Sequence, residues 1–154
     1  MTLLRELEGA TVVHKRLFLD TLQLYLLENP DGDRTQALEI RCESPWQLIQ
    51  QSRVLADSRP MTATNDTTEQ NAAQRVAAAS ASVLIGRVLD DLRVDRPTQG
   101  LRLDFGDGLE VHTFPDLDPE HEQCVLRGAG GRPEVAGCAE GIYEVERDGD
   151  GRRL

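Results

Sequence analysis

Leu101-Arg102-Leu103-Asp104-Phe105-Gly106-Asp107-Gly108-Leu109-Glu110-Val111-His112-Thr113-Phe114 carries the pattern of a β-hairpin. Two alternating runs flank Gly106-Asp107-Gly108. A connection of this length closes readily with glycine in the left-handed conformation, a need Gly108 meets without steric cost. The turn then pairs Phe105 with Leu109, Leu103 with Val111 and Leu101 with Thr113, all on one face, because the strand period is two. The other face sets Arg102 against His112 and Asp104 against Glu110. Like charges directly opposite are mildly destabilising, and Arg102, diagonal to Glu110, offsets this. A charged strand face is ordinarily a solvated face; its sharper use is an acidic patch for a basic partner.

The first half of the chain echoes the hairpin. Leu22, Leu24 and Leu26 alternate with polar or aromatic neighbours, Asn29-Pro30-Asp31-Gly32-Asp33-Arg34 is turn chemistry, and Leu38, Ile40 and Cys42 return. Laid over the first half without a gap, the second half puts Gly86 on Gly9, Val94 on Leu17, Leu101 on Leu24 and Leu103 on Leu26. Past the longer first hairpin loop, Leu109 falls on Leu38, Val111 on Ile40 and Thr113 on Cys42. Each unit reads as glycine, irregular strand, hairpin and a proline-bearing exit. Trp46-Gln47-Leu48-Ile49, after Ser44-Pro45, is a short strand with Trp46 as a core anchor. Arg53-Val54-Leu55 reads as a loop or edge strand, Cys124-Val125-Leu126 as a strand, and Gly141 to Glu146 as the last one.

Between the units, residues 67–84 are rich in alanine, glutamine and glutamate and hold neither glycine nor proline, so they form a helix capped by Asn65 or Asp66. Its packing face is read as Ala72, Val76, Ala79 and Val83. The expectation is one domain over residues 1–154, of α+β class. Two β-meander units, about 7–50 and 84–127, are joined by the loop and helix of 51–83. They build an antiparallel sheet with the main helix, about 67–84, packed on it; a half-open roll of two meanders is the alternative.

The chain has 154 residues, 39% hydrophobic and 29% charged, with a net charge of −10. The sequence pI is about 4.7. Such acidity speaks against nucleic acid and anionic membranes as partners, which require positive charge. It permits steered association with a basic protein. No run approaches the ~18 apolar residues of a membrane span, and Met1-Thr2-Leu3-Leu4-Arg5-Glu6 lacks the order of a signal peptide, so a cytoplasmic location is expected. Cys42, Cys124 and Cys138 form no close pair in sequence and read as small buried apolar residues rather than a disulfide framework.

Several constellations are weighed for chemistry. His14, His112 and His121 are the only histidines, and none sits in a nucleophile motif with Cys124 or Cys138. Gly128-Ala129-Gly130-Gly131 lacks the lysine and helix start of a phosphate loop. His121-x-x-Cys124 with Cys138 and His112 can be drawn as a zinc set, but not at a strong zinc spacing. Asp116, Asp118, Glu120 and Glu122 alternate without the glycine and closing glutamate of an EF-hand. The expectation is therefore no catalytic residue, no metal and no cofactor. The strongest local bias is charge. From Leu89 to Glu122 stand ten acidic residues against Arg93, Arg96 and Arg102.

Leu84-Ile85-Gly86-Arg87-Val88, then Asp104-Phe105-Gly106-Asp107-Gly108-Leu109-Glu110-Val111, then Pro115-Asp116-Leu117-Asp118-Pro119-Glu120 resemble a family of small uncharacterised bacterial domains. That family has a Leu-Gly-x-Val strand start, a Phe-x-Asp-Gly hairpin and a Pro-Asp-rich loop. Ser44-Pro45-Trp46 resembles its first-half exit. His121-Glu122-Gln123-Cys124 departs from it, standing where the family has a tyrosine and a tryptophan. In size, acidity and layout the chain is more loosely similar to immunity proteins of bacterial toxin systems. That resemblance implies a monomer or weak homodimer binding a basic toxin domain. The contact residues it suggests are Asp104, Asp107, Glu110, His112, Asp116, Asp118, Glu120 and Glu122. The alternative is a non-catalytic structural or adaptor domain of a larger assembly.

Overall fold

Alternating leucines dictate most of the strands. Leu22, Leu24 and Leu26 are fully buried, and the residues between them are only partly covered, as a sheet with one wet face demands. The computed structural model describes residues 7–18, 21–43, 45–59, 66–95, 100–114, 124–128, 134–138 and 141–145. Eleven strands appear among them: β1 (Thr11–Phe18), β2 (Thr21–Leu27), β3 (Leu38–Cys42), β4 (Trp46–Gln50), β5 (Arg53–Asp57), β6 (Asp91–Asp95), β7 (Gly100–Asp104), β8 (Leu109–Thr113), β9 (Cys124–Arg127), β10 (Glu134–Cys138) and β11 (Gly141–Val145). The main helix, α1 (Thr67–Ala81), runs on into a 3-10 turn at Ser82–Leu84. The protein is α+β and mostly β.

The strands divide between two antiparallel sheets rather than one. The first has the order β1-β2-β3-β9-β10-β11 and the second β5-β4-β8-β7-β6. Each half of the chain lays down a three-stranded meander in one sheet. It then crosses over to pair with the third strand of the other half, β4 beside β8 and β9 beside β3. Inner faces of both sheets meet in one core that holds Leu24, Ile40, Trp46, Leu48, Leu103 and Val111. Trp46 is fully buried, as its reading as an anchor required.

The two halves are equivalent in their pairing. The Gly9 N–H donates to Leu89 O at 2.7 Å and the Gly86 N–H to Val12 O at 2.8 Å. The Val12 N–H donates to Arg87 O at 2.8 Å and the Leu89 N–H to Ala10 O at 2.9 Å. Thr11 and Val88 face each other across the centre of this set as an isolated bridge. Gly9 and Gly86 have φ of +87° and +85°, a left-handed conformation open to glycine. The junctions match as well: Cys42 faces Cys124 and Ile40 faces Leu126, while Thr113 faces Trp46 and Val111 faces Leu48.

One detail of the repeat is corrected. Leu17 pairs with Leu22 and Val94 with Leu101, while Leu24 pairs with Ile40 and Leu103 with Val111. Leu101 therefore stands where Leu22 does, and Leu103 where Leu24 does. The connection 96–99 is two residues longer than 19–20. Two residues are one strand period, so the misplaced gap leaves every inward side chain inward.

Helix α1 starts where expected: the Asp66 carboxylate accepts from the Thr68 N–H at 2.8 Å and the Glu69 N–H at 3.3 Å, a side-chain cap for orphan donors of the first turn. It spans the edges of the two sheets, touching both β5 and β1. Lys15 Nζ donates to Ala78 O at 2.6 Å and Gln74 Nε2 to Leu17 O at 3.3 Å. The packing face matches the expected one at Val83, which packs against the core, and differs elsewhere, Ala72, Val76 and Ala79 being exposed. Ala77 and Ala81 are buried, with Ala73 packed against the core, whereas Val76 is 64% exposed. Close approach to two strand edges favours a stripe of alanines, and the larger Val76 is left outside. Among the described residues no helix is long and apolar enough to cross a membrane. Residues 1–6, 115–123, 129–133 and 146–154, the acidic run Asp116 to Glu122 among them, lie outside the described residues.

Candidate partner-binding surface

The opening hairpin forms as its pattern dictates. Leu103 faces Val111, Arg102 faces His112 and Asp104 faces Glu110. The Phe105 N–H donates to Leu109 O at 2.8 Å and closes the turn. The turn is more left-handed than expected, since Gly106, Asp107 and Gly108 have φ of +81°, +55° and +74°. Gly108 is required on a second ground. A Cβ there would lie 3.1–3.4 Å from Gln51, whose N–H donates to Gly108 O at 2.9 Å. The β4–β5 turn thus braces the β7–β8 turn at one end of the second sheet.

On the outer face of that sheet the charges are paired off. Arg102 binds Glu110 through two guanidinium nitrogens, its Nε at 3.0 Å. His112 Nε2 lies 3.0 Å from the other oxygen of Glu110. Partial burial works to raise the Glu110 carboxyl; hydrogen bonds from Arg102 and then His112, with their charges, outweigh it and hold the group below the usual glutamate range. The diagonal Arg102–Glu110 contact thus offsets the Asp104–Glu110 opposition. Asp104 Oδ1 accepts the Gly106 N–H at 2.9 Å, so this carboxylate also shapes the turn.

The same face continues into the first half of the chain. Gln47 stands opposite both His112 and Asp57, and its Nε2 donates to Asp57 at 2.8 Å. Arg59 Nε donates to Asp57 at 3.0 Å. Burial again pushes the Asp57 carboxyl up, but hydrogen bonds from Arg59 and Gln47 overcome it and bring the group down to about 2. These residues escape a sequence reading. Asp57 and Arg59 are two apart and suggest a local pair, but nothing in the sequence sets Gln47 beside His112.

Acidic side chains gather at the hairpin tip, with Arg87 beside them. Asp107 has an 83% exposed side chain and forms an ion pair with Arg87 at 3.3 Å. Asp90 is exposed and its Oδ2 sits against Gly106, 2.8 Å from where a Cβ would stand. With Asp104 this makes three carboxylates around one turn. Arg87 and Asp90 extend the predicted set, and only the fold brings them to the tip. Of the predicted contact residues, Asp104, Asp107, Glu110 and His112 share this hairpin; Asp116, Asp118, Glu120 and Glu122 lie outside the described residues.

Of the drawn zinc set, His112 lies on the second sheet, bound to Glu110, while Cys124 and Cys138 belong to strands of the first; His121 lies outside the described residues. Among the described residues no group of three or more histidine, cysteine or acidic side chains is placed to hold a metal ion. Comparison with family models, curated proteins and solved structures finds no match to this chain.

Proposed function

We propose that this protein is an acidic binding module, an immunity protein that neutralises a cognate basic toxin domain by direct contact. The observation that carries the reading is the tip of the β7–β8 hairpin. Asp90, Asp104 and Asp107 surround a turn fixed by Gly108 against Gln51. A rigid, anionic projection suits a cationic cleft, because little side-chain or loop ordering remains to be lost on binding. The Glu110–Arg102–His112 cluster supports the tip from behind rather than meeting the partner as bare charge. The overall charge of −10 acts in the same direction by steering a basic partner.

Co-purification with the product of the neighbouring gene tests the reading, and absence of any complex with an adjacent toxin-like protein would sink it. Within a complex, Asp90→Lys with Asp107→Lys should weaken binding by about tenfold or more and leave the fold intact, both side chains being exposed. Unchanged affinity would move the interface elsewhere.

A second reading, a structural or adaptor domain, is favoured by one feature. A groove of about 410 Å³ between β5 and α1 is lined by Val54, Leu55, Ala72, Ala73 and Val76. Val54 is 50% exposed, on an edge strand of its sheet. Edge strands with apolar exposure invite pairing. A mass measurement across protein concentration separates the two, since neutralising a toxin needs no self-association.

A further inference from the structure

Three cysteines far apart in sequence acquire a relation in the fold. Cys42 on β3 and Cys124 on β9 are directly opposed in the antiparallel ladder. Directly opposite residues in such a ladder share a face and stand about 4.5–5.5 Å apart at Cα. That spacing lies inside the ~4.4–6.8 Å range that a disulfide spans. Cys138 is excluded by register: Cys124 is opposed by Gly137 on β10, and Cys138 faces Gly141. The location also matters. The β3–β9 ladder is one of the two strand ladders that join the halves of the chain, and at the other the matching positions are Trp46 and Thr113.

We propose that Cys42 and Cys124 form a redox pair that joins the two halves of the chain covalently across the β3–β9 ladder, by exchange with a small-molecule disulfide. One thiolate attacks the small disulfide, forming a mixed disulfide and releasing one small thiol. The second cysteine then attacks the mixed disulfide and releases the other thiol. Two protein thiols are oxidised, one small disulfide is reduced to two thiols, and the thiol protons stay with the released thiols. Cys42 is fully buried, and buried thiols are slow to react. Exchange therefore proceeds through local opening of the junction and accelerates in mild denaturant. Once formed, the bond closes a long loop of chain and restricts the unfolded ensemble.

The test uses the full chain incubated with oxidised glutathione at zero and at mild urea. The expected product has lost two hydrogens, retains one titratable thiol, and yields a proteolytic fragment pair linked through Cys42 and Cys124. Its thermal midpoint should rise by on the order of 10 °C over the reduced form. Cys138→Ser should still form the link, and Cys42→Ser should not. A linkage through Cys138, glutathione adducts that never resolve to an internal bond, or an oxidised form that melts below the reduced one would each overturn the proposal. Neither outcome touches toxin binding at the hairpin tip, on the other sheet.

Discussion

Glu39 in the first sheet and Glu110 in the second hold equivalent places in the two halves of the chain, and their surroundings differ. Gln23, matching Arg102, donates to Glu39 at 3.3 Å, where Arg102 makes an ion pair with Glu110. Arg127 reaches Glu39 from the other half at 3.4 Å, and the matching neighbour of Glu110 is Ile49. Arg41, matching His112, turns to Glu43 at 3.0 Å rather than to its glutamate. Beneath these differences the inner faces correspond: Leu22 with Leu101, Leu24 with Leu103, Leu38 with Leu109 and Ile40 with Val111. The core demands close-packed apolar filling of a set volume, whereas an outer face accepts any satisfied polar arrangement. The duplicated architecture therefore lives in the core and the glycine crossing, and individuality lives outside.

The largest effect should come from the two junctions. Trp46 fills one, opposite Thr113, and Cys124 stands at the matching place in the other. Trp46→Ala should cost about 3–5 kcal/mol, the range for deleting a buried aromatic. Cys42→Ala should cost about 1 kcal/mol, since it removes a single atom from the facing pair. Urea midpoints at constant slope measure both. Equal losses would mean that Trp46 does not anchor the joint.

Next come the paired glycines. At Gly9 and Gly86 an added Cβ would meet nothing within 4 Å, so alanine is opposed by backbone conformation alone. Each substitution should cost about 1–2 kcal/mol, and the two should agree within about 0.5 kcal/mol. A clear inequality in their denaturation midpoints would break the equivalence of the halves at its centre.

Acid should act on the second sheet, where the lowered carboxyls of Asp57 and Glu110 lie; a third, the exposed Asp33, is lowered by hydrogen bonds from Thr35 in the turn between β2 and β3. The folded carboxyls of Asp57 and Glu110 are depressed below their ordinary values. Their contribution is therefore present above the unfolded pKa values, near 4, and is lost as pH falls through the folded ones, for Asp57 through about 2. Glu110→Gln should cost about 1 kcal/mol at neutral pH and Glu39→Gln about 0.5 kcal/mol or less, as partly exposed pairs do. Asp57→Asn with Glu110→Gln should flatten the loss of stability between pH 4 and 2, read as urea midpoints across that window. An acid limb as steep as the wild type's would assign the sensitivity to other groups.

How much of this was legible follows from the range of each interaction. The β7–β8 hairpin was written in adjacent residues: alternation, a glycine turn and opposed pairs, all local. So were Trp46 as an anchor and Asp66 as a cap. The division into two sheets was not, because the crossing of β4 to β8 and β9 to β3 is a choice among equally alternating partners. β10 escaped for a related reason: Glu134-Val135-Ala136-Gly137-Cys138 offers little alternation and two small residues. The helix face was misread in part: Val83 packs against the core as read, but Val76, chosen for size, loses its place to the closer-packing Ala77 and Ala81. At the candidate site, Asp104, Asp107, Glu110 and His112 were visible as one hairpin. The Arg102–Glu110 pair was visible in the hairpin register as well; the second partner of Glu110, His112, and the continuation through Gln47 to Asp57 were not.

The smallest expected effect is at the tip. Arg87 follows Gly86 at the crossing, where its carbonyl holds the Val12 N–H, and its guanidinium lies 3.3 Å from Asp107. Ala10 is its match in the first half and brings no charge. Asp107 is 83% exposed at its side chain, so solvent and salt screen the pair. Asp107→Asn keeps the shape and a side chain that tolerates the left-handed backbone at φ +55°. It should change the urea midpoint by no more than the equivalent of about 0.5 kcal/mol, and that little should vanish in 1 M salt. Arg87→Gln should behave alike, its backbone bonds being untouched. A loss above about 1 kcal/mol that persists in high salt would make the Arg87–Asp107 contact part of the crossing itself. The tip would then be a structural brace tying the hairpin to the pseudo-symmetric centre, and its charge would no longer be free to serve a partner.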